Sequence, residues 1–476
     1  MLRFSDSGRR NRSGAPDPPS DAKRRRIRLL RRGTVVLVLA TGLALFFGTG
    51  GFTSAAFNIG GPPARHIVVV APTPHLTGPV TLREAASNAT VELVGSGDGS
   101  SIEWYANWGL WGNHNSPPGA RVNWGSPYWW QSALDIRALV RYLDRTHDPN
   151  PVYQEVIDKT FDRNVLRPGT PVPVNFGNGW MDDTVWWGLA WLEAARYELN
   201  VRHDLSDAMR FMKVAEWDAN DAWRSPRTCG SQGIAWEIGH PPDTVTNAEF
   251  IALTAELAQV QQQPGPWFDQ AAAIKWKTEA WQILWWLKNT RLINVRTGHV
   301  WDGLNRKCED TGGALTYTEG ETADALVQLG LATHWHGYMD DAKRFIDYAL
   351  SPTTGMTYAG VLQEPCEAQA TRCQAGPRPD DSTVWKGVFI DAVADWQAAT
   401  RSRRYDAFLV KQAQAIIDHS ASNGTRMTAC QTPHDCQLGF YWSRAVAPGS
   451  TILPLGPGSQ ESALSALTDA LAVSPR

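Results

Sequence analysis

The sequence predicts an all-α protein, an (α/α)6 toroid of six inner and six outer helices, preceded by an N-terminal signal anchor or signal peptide. Three observations carry that prediction. Apolar residues recur at helical spacing in twelve segments beyond residue 81. The connections between those segments alternate strictly between long and short. An uncharged, largely apolar stretch follows a basic tail at the start of the chain.

The chain divides into a basic tail (1–32), an anchor or signal segment (33–57), a stalk (58–80) and a domain (81–476). The tail holds 11 Lys and Arg against 3 Asp and Glu, whereas from His66 onward 33 basic residues face 45 acidic ones. An acidic body has no general attraction for phosphate backbones, so a nucleic-acid partner is not expected. Arg24, Arg25, Arg26, Arg28, Arg31 and Arg32 precede the apolar residues 34–47, and no charge returns until Arg65. The apolar core has the length of a signal peptide, with Ser54, Ala55 and Ala56 as small residues for cleavage. The full uncharged stretch has the length of a membrane anchor, with the basic tail held in the cytoplasm. In either case the domain is expected outside the cytoplasm, at the cell membrane or secreted. Residues 58–80 mix Pro, Gly and small apolar residues without helical period, which reads as a spacer.

The expected helices span 82–94, 132–146, 152–164, 183–200, 205–223, 246–262, 267–289, 319–336, 338–351, 382–400, 404–422 and 458–473. Long connections fall at 95–131, 165–182, 224–245, 290–318, 352–381 and 423–457, and the other five are short. A short connection makes an antiparallel helical hairpin. Repeated hairpins whose long loops all lie on one side imply a closed ring with one loop-built rim, and loops on a rigid scaffold are where binding and catalysis concentrate.

Tryptophan is the outlying component of the composition, 23 residues against 11 Tyr and 14 Phe. Trp104, Trp108, Trp111, Trp124, Trp129 and Trp130 cluster about the first long loop, with Trp223 and Trp236 about the third and Trp442 in the last. Indole rings present flat apolar faces that suit sugar rings, and at a loop rim they favour a glycan cleft over core packing. The run Asn178-Gly179-Trp180-Met181-Asp182-Asp183-Thr184-Val185-Trp186-Trp187 puts two acids where a long loop enters an inner helix. N-capping explains one such Asp. Two beside three Trp match a glycosidase, which needs one carboxylate at the anomeric carbon and one carboxylic acid at the leaving oxygen. Their Cα atoms are about 3.8 Å apart, and side chains diverging at a helix entry bring the carboxyls to the roughly 5–5.5 Å of a retaining enzyme. Asp182 and Asp183 are the candidate catalytic pair. Trp111, Trp129, Trp130, Asn178, Trp180, Trp186 and Trp236 are candidate glycan contacts, as is Asp381, whose Asp380-Asp381-Ser382-Thr383-Val384-Trp385 echoes the first motif at another helix entry. Paired carboxylates need no cofactor, and no metal site is expected. Asp340 and Asp341 lie by a short loop and read as caps, His334 and His336 lack an acidic partner at metal spacing, and neither HExxH nor GxSxG occurs.

The six cysteines suit an exported protein. Cys366 with Cys373 and Cys430 with Cys436 form close pairs, leaving Cys229 with Cys308, and none has the C-x2-C spacing of a zinc site.

From 82 to 476 the chain resembles glycoside hydrolase family 76, the endo-α-1,6-mannanase family. The resemblance rests on Asp182-Asp183-Thr184-Val185-Trp186-Trp187, Gly109-Leu110-Trp111, Trp129-Trp130-Gln131-Ser132-Ala133, CGSQGIAW at 229–236 with Asn247-Ala248-Glu249-Phe250, Thr316-Tyr317-Thr318-Glu319-Gly320 and Trp385-Lys386-Gly387-Val388-Phe389. It implies the same (α/α)6 fold and a retaining mechanism with Asp182 as nucleophile and Asp183 as acid/base. It adds Tyr317, Glu319 and Lys386 to the candidate contacts, and an α-linked mannan or mannose-containing cell-envelope glycan as the partner. Glu319 stands where the family has Gln, Thr318 where it has Asn, and Ala235 interrupts Ile-Trp-Trp; these departures and the Trp-rich first loop point to a glycan other than plain α-1,6-mannan. Transglycosylation is a variant of the same chemistry, because a sugar hydroxyl can discharge a glycosyl-enzyme as water does. The alternative of another class is a non-catalytic cell-envelope glycan-binding protein on the same fold, which has no need of both acids.

Overall fold

Among the described residues, each inner helix is entered from a long loop and all but the last are left through a short connection, and this regularity places the functional site. The computed structural model describes residues 80–95, 102–112, 127–166, 175–365, 367, 381–419, 427, 437–443 and 455–474. The basic tail, the apolar segment and the stalk up to residue 79 lie outside the described residues, as do Cys366, Cys373, Cys430 and Cys436. Among the described residues, no helix is long and apolar enough to cross a membrane.

Twelve α-helices stand among these residues: α1 (Leu82–Val94), α2 (Pro127–Thr146), α3 (Pro151–Asn164), α4 (Met181–Tyr197), α5 (Leu205–Arg224), α6 (Thr244–Gln261), α7 (Gln270–Asn289), α8 (Thr316–Thr333), α9 (Gly337–Ala349), α10 (Ser382–Thr400), α11 (Asp406–His419) and α12 (Pro457–Val473). Their boundaries have local causes. Thr81 and Glu84 form a capping box at the start of α1. Asp269 accepts the Ala271 and Ala272 N–H groups, so α7 begins at Gln270 rather than at 267. His334 turns left-handed (φ 56°) and ends α8. A π-helical turn over Glu198–Arg202 follows α4, where a plain α-helix to 200 was expected.

The even-numbered helices α2, α4, α6, α8, α10 and α12 pack consecutively on one another, and α12 packs back on α2 to close the ring. Helices α5, α7 and α9 lie against α4, α6 and α8, while α1 and α11 flank α12. Helix α3 packs through Phe161 against Trp191 of α4 and Phe211 of α5, with ring centroids 4.9 and 4.8 Å away. Burial follows the layers. Outer α5 buries one stripe, including Ala208, Phe211, Met212, Ala215, Ala219 and Ala222. Inner α6 is buried at every position from Thr244 to Ala258.

The expectation of a purely helical domain needs one correction. Among the described residues, four two-stranded antiparallel hairpins lie in the long loops: β1 (Glu103–Tyr105) with β2 (Leu110–Gly112), β3 (Ile293–Asn294) with β4 (His299–Val300), β5 (Gly303–Leu304) with β6 (Asp310–Thr311), and β7 (Thr357–Tyr358) with β8 (Val361–Leu362). Strands of two or three residues are too short to show an alternating pattern in the sequence.

Candidate active site

The long-loop rim carries a cleft of about 140 Å3 at the N-terminal ends of the inner helices. Trp130 of α2, Asp182 and Trp186 of α4, Asp243 at the entry to α6, Tyr317 of α8, and Asp381 with Trp385 at the start of α10 line it. Five of the six inner helices thus supply a wall.

Asp182 and Asp183 occupy the first turn of α4, one and two residues beyond its first residue, Met181. They do not cap the helix. That position belongs to Trp180, which makes no side-chain cap; Asp182 lines the cleft, and Asp183 is held by Asn178. Gly179, at φ 96°, takes a left-handed backbone that turns the chain into the helix. The main chain on either side is pinned: the Met181 N–H donates to the Trp236 carbonyl at 2.6 Å, and the Ile238 N–H donates to the Gly179 carbonyl at 3.2 Å. Loop 224–245 is anchored in turn by the Cys229–Cys308 disulfide and by the Leu304 N–H to Pro242 carbonyl bond of 2.9 Å. The two acids therefore stand on a fixed turn rather than on a mobile loop tip.

Their environments differ. The Asp183 N–H donates to Asp182 Oδ1 at 2.9 Å, a backbone contact that favours a carboxylate at Asp182. Asn178 Nδ2 donates to Asp183 Oδ2 at 2.6 Å, while Asn178 Oδ1 accepts the Trp180 N–H at 3.0 Å and so fixes the amide. Burial raises both acids. Asp183 is pushed up to about 7, with Asn178 opposing the shift and Asp381 adding to it. Asp182 is raised by burial and then by the neighbouring Asp183 charge, with the backbone contact opposing. Adjacent acids on one helical turn titrate as a pair, the charge on one raising the other.

Further acids surround the pair. Asp243 caps α6 by accepting the Thr246 N–H at 3.0 Å and is raised by burial and then by Asp182. Glu249, six residues further along α6, is fully buried with no hydrogen-bond partner on either carboxyl oxygen among the described residues, and burial, followed by Glu321 and Asp182, raises it well above the usual carboxylate range. The opposite wall is aromatic: Tyr317 stacks on Trp385 at 4.7 Å and 8°, and its hydroxyl donates to Asp302 at 3.2 Å. The arrangement offers sugar-stacking faces, acceptors for hydroxyl groups, and a carboxyl pair able to hold one proton and one charge.

The sequence-predicted residues divide into three groups. Trp130, Asp182, Trp186, Tyr317 and Asp381 line the cleft, with Asp183 and Asn178 in contact behind them. Trp180 and Trp236 are half-buried in the paired loops at the rim. Trp111, Trp129, Glu319 and Lys386 are fully buried elsewhere. The Trp111 indole donates to the Leu93 carbonyl at 2.7 Å, and Trp129 packs on Phe176 and Trp187 at 5.8 and 5.1 Å, one helical step away from the cleft-facing Trp130. Glu319 accepts the Val300 N–H and the Thr318 hydroxyl, bracing strand β4. Lys386 pairs with Glu367 at 2.6 Å and donates to the Phe440 carbonyl, tying loop segments together on the side of α10 away from Trp385. Asp243 and Trp385 were not among the expected contacts. A signal for Asp243 exists: Asp-Thr-Val occurs at 183–185 and again at 243–245, both times at an inner-helix entry.

The family model for glycosyl hydrolase family 76 matches residues 103–472. The chain is similar in fold to the GH76A α-1,6-mannanase of Salegentibacter sp. HEL1_6, with a TM-score of 0.61 at 18% identity over 83% of this chain and 100% of that one. An inactive variant of that mannanase has been solved in complex with α-1,6-mannotriose, with a TM-score of 0.59, 18% identity and the same shares covered. Dfg5 from Chaetomium thermophilum, solved in complex with glucosamine, gives a TM-score of 0.57 at 22% identity over 73% of this chain and 81% of that one. No curated protein matches the chain.

Proposed function

The chain belongs to glycosyl hydrolase family 76, a glycosidase family acting on mannan-type glycans, and from that premise we propose that it cleaves α-1,6-linked mannose-containing glycans by a retaining double displacement. The observation that carries the proposal is the Asp182–Asp183 pair on one pinned helical turn beside the cleft. Asp182, whose Oδ1 receives a backbone N–H at the start of α4, attacks the anomeric carbon as the carboxylate. Asp183, raised to about 7, protonates the departing oxygen and then takes a proton from the incoming water. A sugar hydroxyl entering in place of water gives transglycosylation with the same two groups. Tyr317 and Trp385 supply a stacked wall, and Trp130 and Trp186 also line the cleft.

We place the domain outside the cytoplasm, at the membrane or released from it. Two features support this: a disulfide closing a 79-residue separation, and the order of basic tail, apolar stretch and Pro-rich spacer in the sequence. The test of activity is incubation of the protein with α-1,6-manno-oligosaccharides and chromatography of the products. Shorter oligosaccharides, or longer ones from transfer, are expected from the native chain and neither from Asp182→Asn. Unchanged substrate under conditions where it binds would favour a glycan-binding protein instead.

A further inference from the structure

The ring has a second opening. At the C-terminal ends of the inner helices, opposite the cleft, lies a cavity of about 450 Å3 to which all six inner helices contribute. Five acidic side chains face it, those of Asp144, Glu193, Glu256, Asp395 and Asp469, against three guanidiniums, those of Arg141, Arg145 and Arg196. Six helix C-termini, each the negative end of its dipole, converge on the same space. The field there favours cations and repels anions.

Most of the carboxylates are already matched. Arg141 holds Glu193 at 2.8 Å and Asp395 at 2.9 Å, and Arg196 pairs with Glu256. Two are left over. Asp144 stands exposed at the mouth, with no ion pair among the described residues. Asp469 lines the cavity at 2% exposure, and its Oδ2 has no hydrogen-bond partner among the described residues. Burial pushes the Asp469 carboxyl well above its ordinary range, with Asp391 and Asp395 adding and Arg141 and Arg145 opposing. A buried carboxyl in that condition gains most from a cationic hydrogen-bond donor.

The lining also restricts the cation. A compact metal site needs several oxygens converging on one point. Among the described residues, the only three acids whose ligand atoms come within 4.8 Å of one another are Glu198, Asp204 and Asp207, which are not in this cavity. A sugar would want an aromatic face, and among the described residues no aromatic side chain lines the space. Between the charged groups lie instead Leu331, Ala398 and Ala399, an aliphatic wall suited to a methylene chain. We propose that this cavity binds a small linear polyamine, with one ammonium group on Asp469 and another toward Asp144 at the mouth.

Titration calorimetry of the full-length protein with spermidine tests this, with putrescine and Mg2+ titrated in parallel at matched ionic strength. The expected result is saturable binding of one spermidine per chain that Mg2+ does not displace. Asp469→Asn, which keeps the shape of the side chain, should weaken it roughly tenfold to a hundredfold, the loss of one hydrogen bond between charged groups. Ala399→Phe, which fills the cavity without touching a charge, should abolish it, and keeps the test decisive if the first variant folds poorly. Neither residue lies near the cleft, so both variants should retain the native chain's glycan turnover. The proposal is overturned by the absence of saturable heat at millimolar spermidine, by equal affinity in the native chain and both variants, or by displacement with Mg2+ at equal concentration.

Discussion

Asp183 sits between two opposing influences, and each makes a measurable claim. Burial holds its proton to about pH 7, while the Asn178 amide at 2.6 Å favours the carboxylate. Turnover should therefore fall on the basic side as Asp183 loses its proton near pH 7. Removing the amide in Asn178→Ala raises the Asp183 pKa further, so the basic limb of the kcat profile should move to higher pH; a shift to lower pH, or none, would contradict the assigned role. Asp182→Asn and Asp183→Asn should each lower kcat by about 10²–10⁴, the usual worth of a positioned proton-transfer or nucleophilic group, with melting temperature little changed. Asp381→Asn should cost far less, because that group lies on the cleft wall and not on the α4 turn. The sequence singled out the acidic pair because capping accounts for only one Asp. It did not separate Trp130 from Trp129, or Trp385 from Lys386, because one step of about 100° around a helix decides which neighbour meets the cleft and which meets the core. Glu319 was unreadable for another reason: its partner is a backbone N–H 19 residues earlier in a two-residue strand.

The entries to the inner helices act as a set, and their support comes from loops and close helix contacts. The Cys229–Cys308 bridge joins the third and fourth long loops, and loop 224–245 pairs with the Gly179–Met181 backbone that presents the acids. Replacing both cysteines by serine should lower stability by roughly 2–4 kcal/mol, given the long separation closed, and should lower activity more than any outer-helix surface change does. Denaturant unfolding alongside turnover measures both. Gly387 lets α10 approach α12, and a Cβ there would lie 2.7 Å from the Ser462 Cα, a backbone atom that cannot swing aside. Gly387→Ala should destabilise by about 1–3 kcal/mol, and an unchanged unfolding midpoint would contradict the packing described. The helices and the alternation of loop lengths were legible because apolar period and turn residues are local signals. The π turn after α4 and the four hairpins were not: the strands are two or three residues long and the π turn five, too short for a periodic pattern to show.

The closed ring buries carboxyl groups along its axis, and this gives the molecule as a whole a pH dependence. Burial raises Asp135, Asp243, Glu249, Glu461 and Asp469 well above the usual carboxylate range, and raises Glu321 to about 7. Each such group binds its proton more tightly folded than unfolded. From the ordinary range near 4 up through at least 7, the folded state thus carries more protons, and stability falls as pH rises. The melting temperature should be higher near pH 5 than near pH 8; the opposite order would mean that the axial carboxyls are ionised in the fold. The same axis links the two faces of the ring: an acidic, aromatic cleft where the inner helices begin and an acidic, aliphatic cavity where they end. Whether the cleft performs the chemistry its paired acids allow is decided by proton NMR of the first product formed from an α-1,6-manno-oligosaccharide. Double displacement at Asp182 predicts that the new reducing end appears first as the α-anomer and only later mutarotates, whereas initial appearance of the β-anomer, or of no product at all, would contradict it.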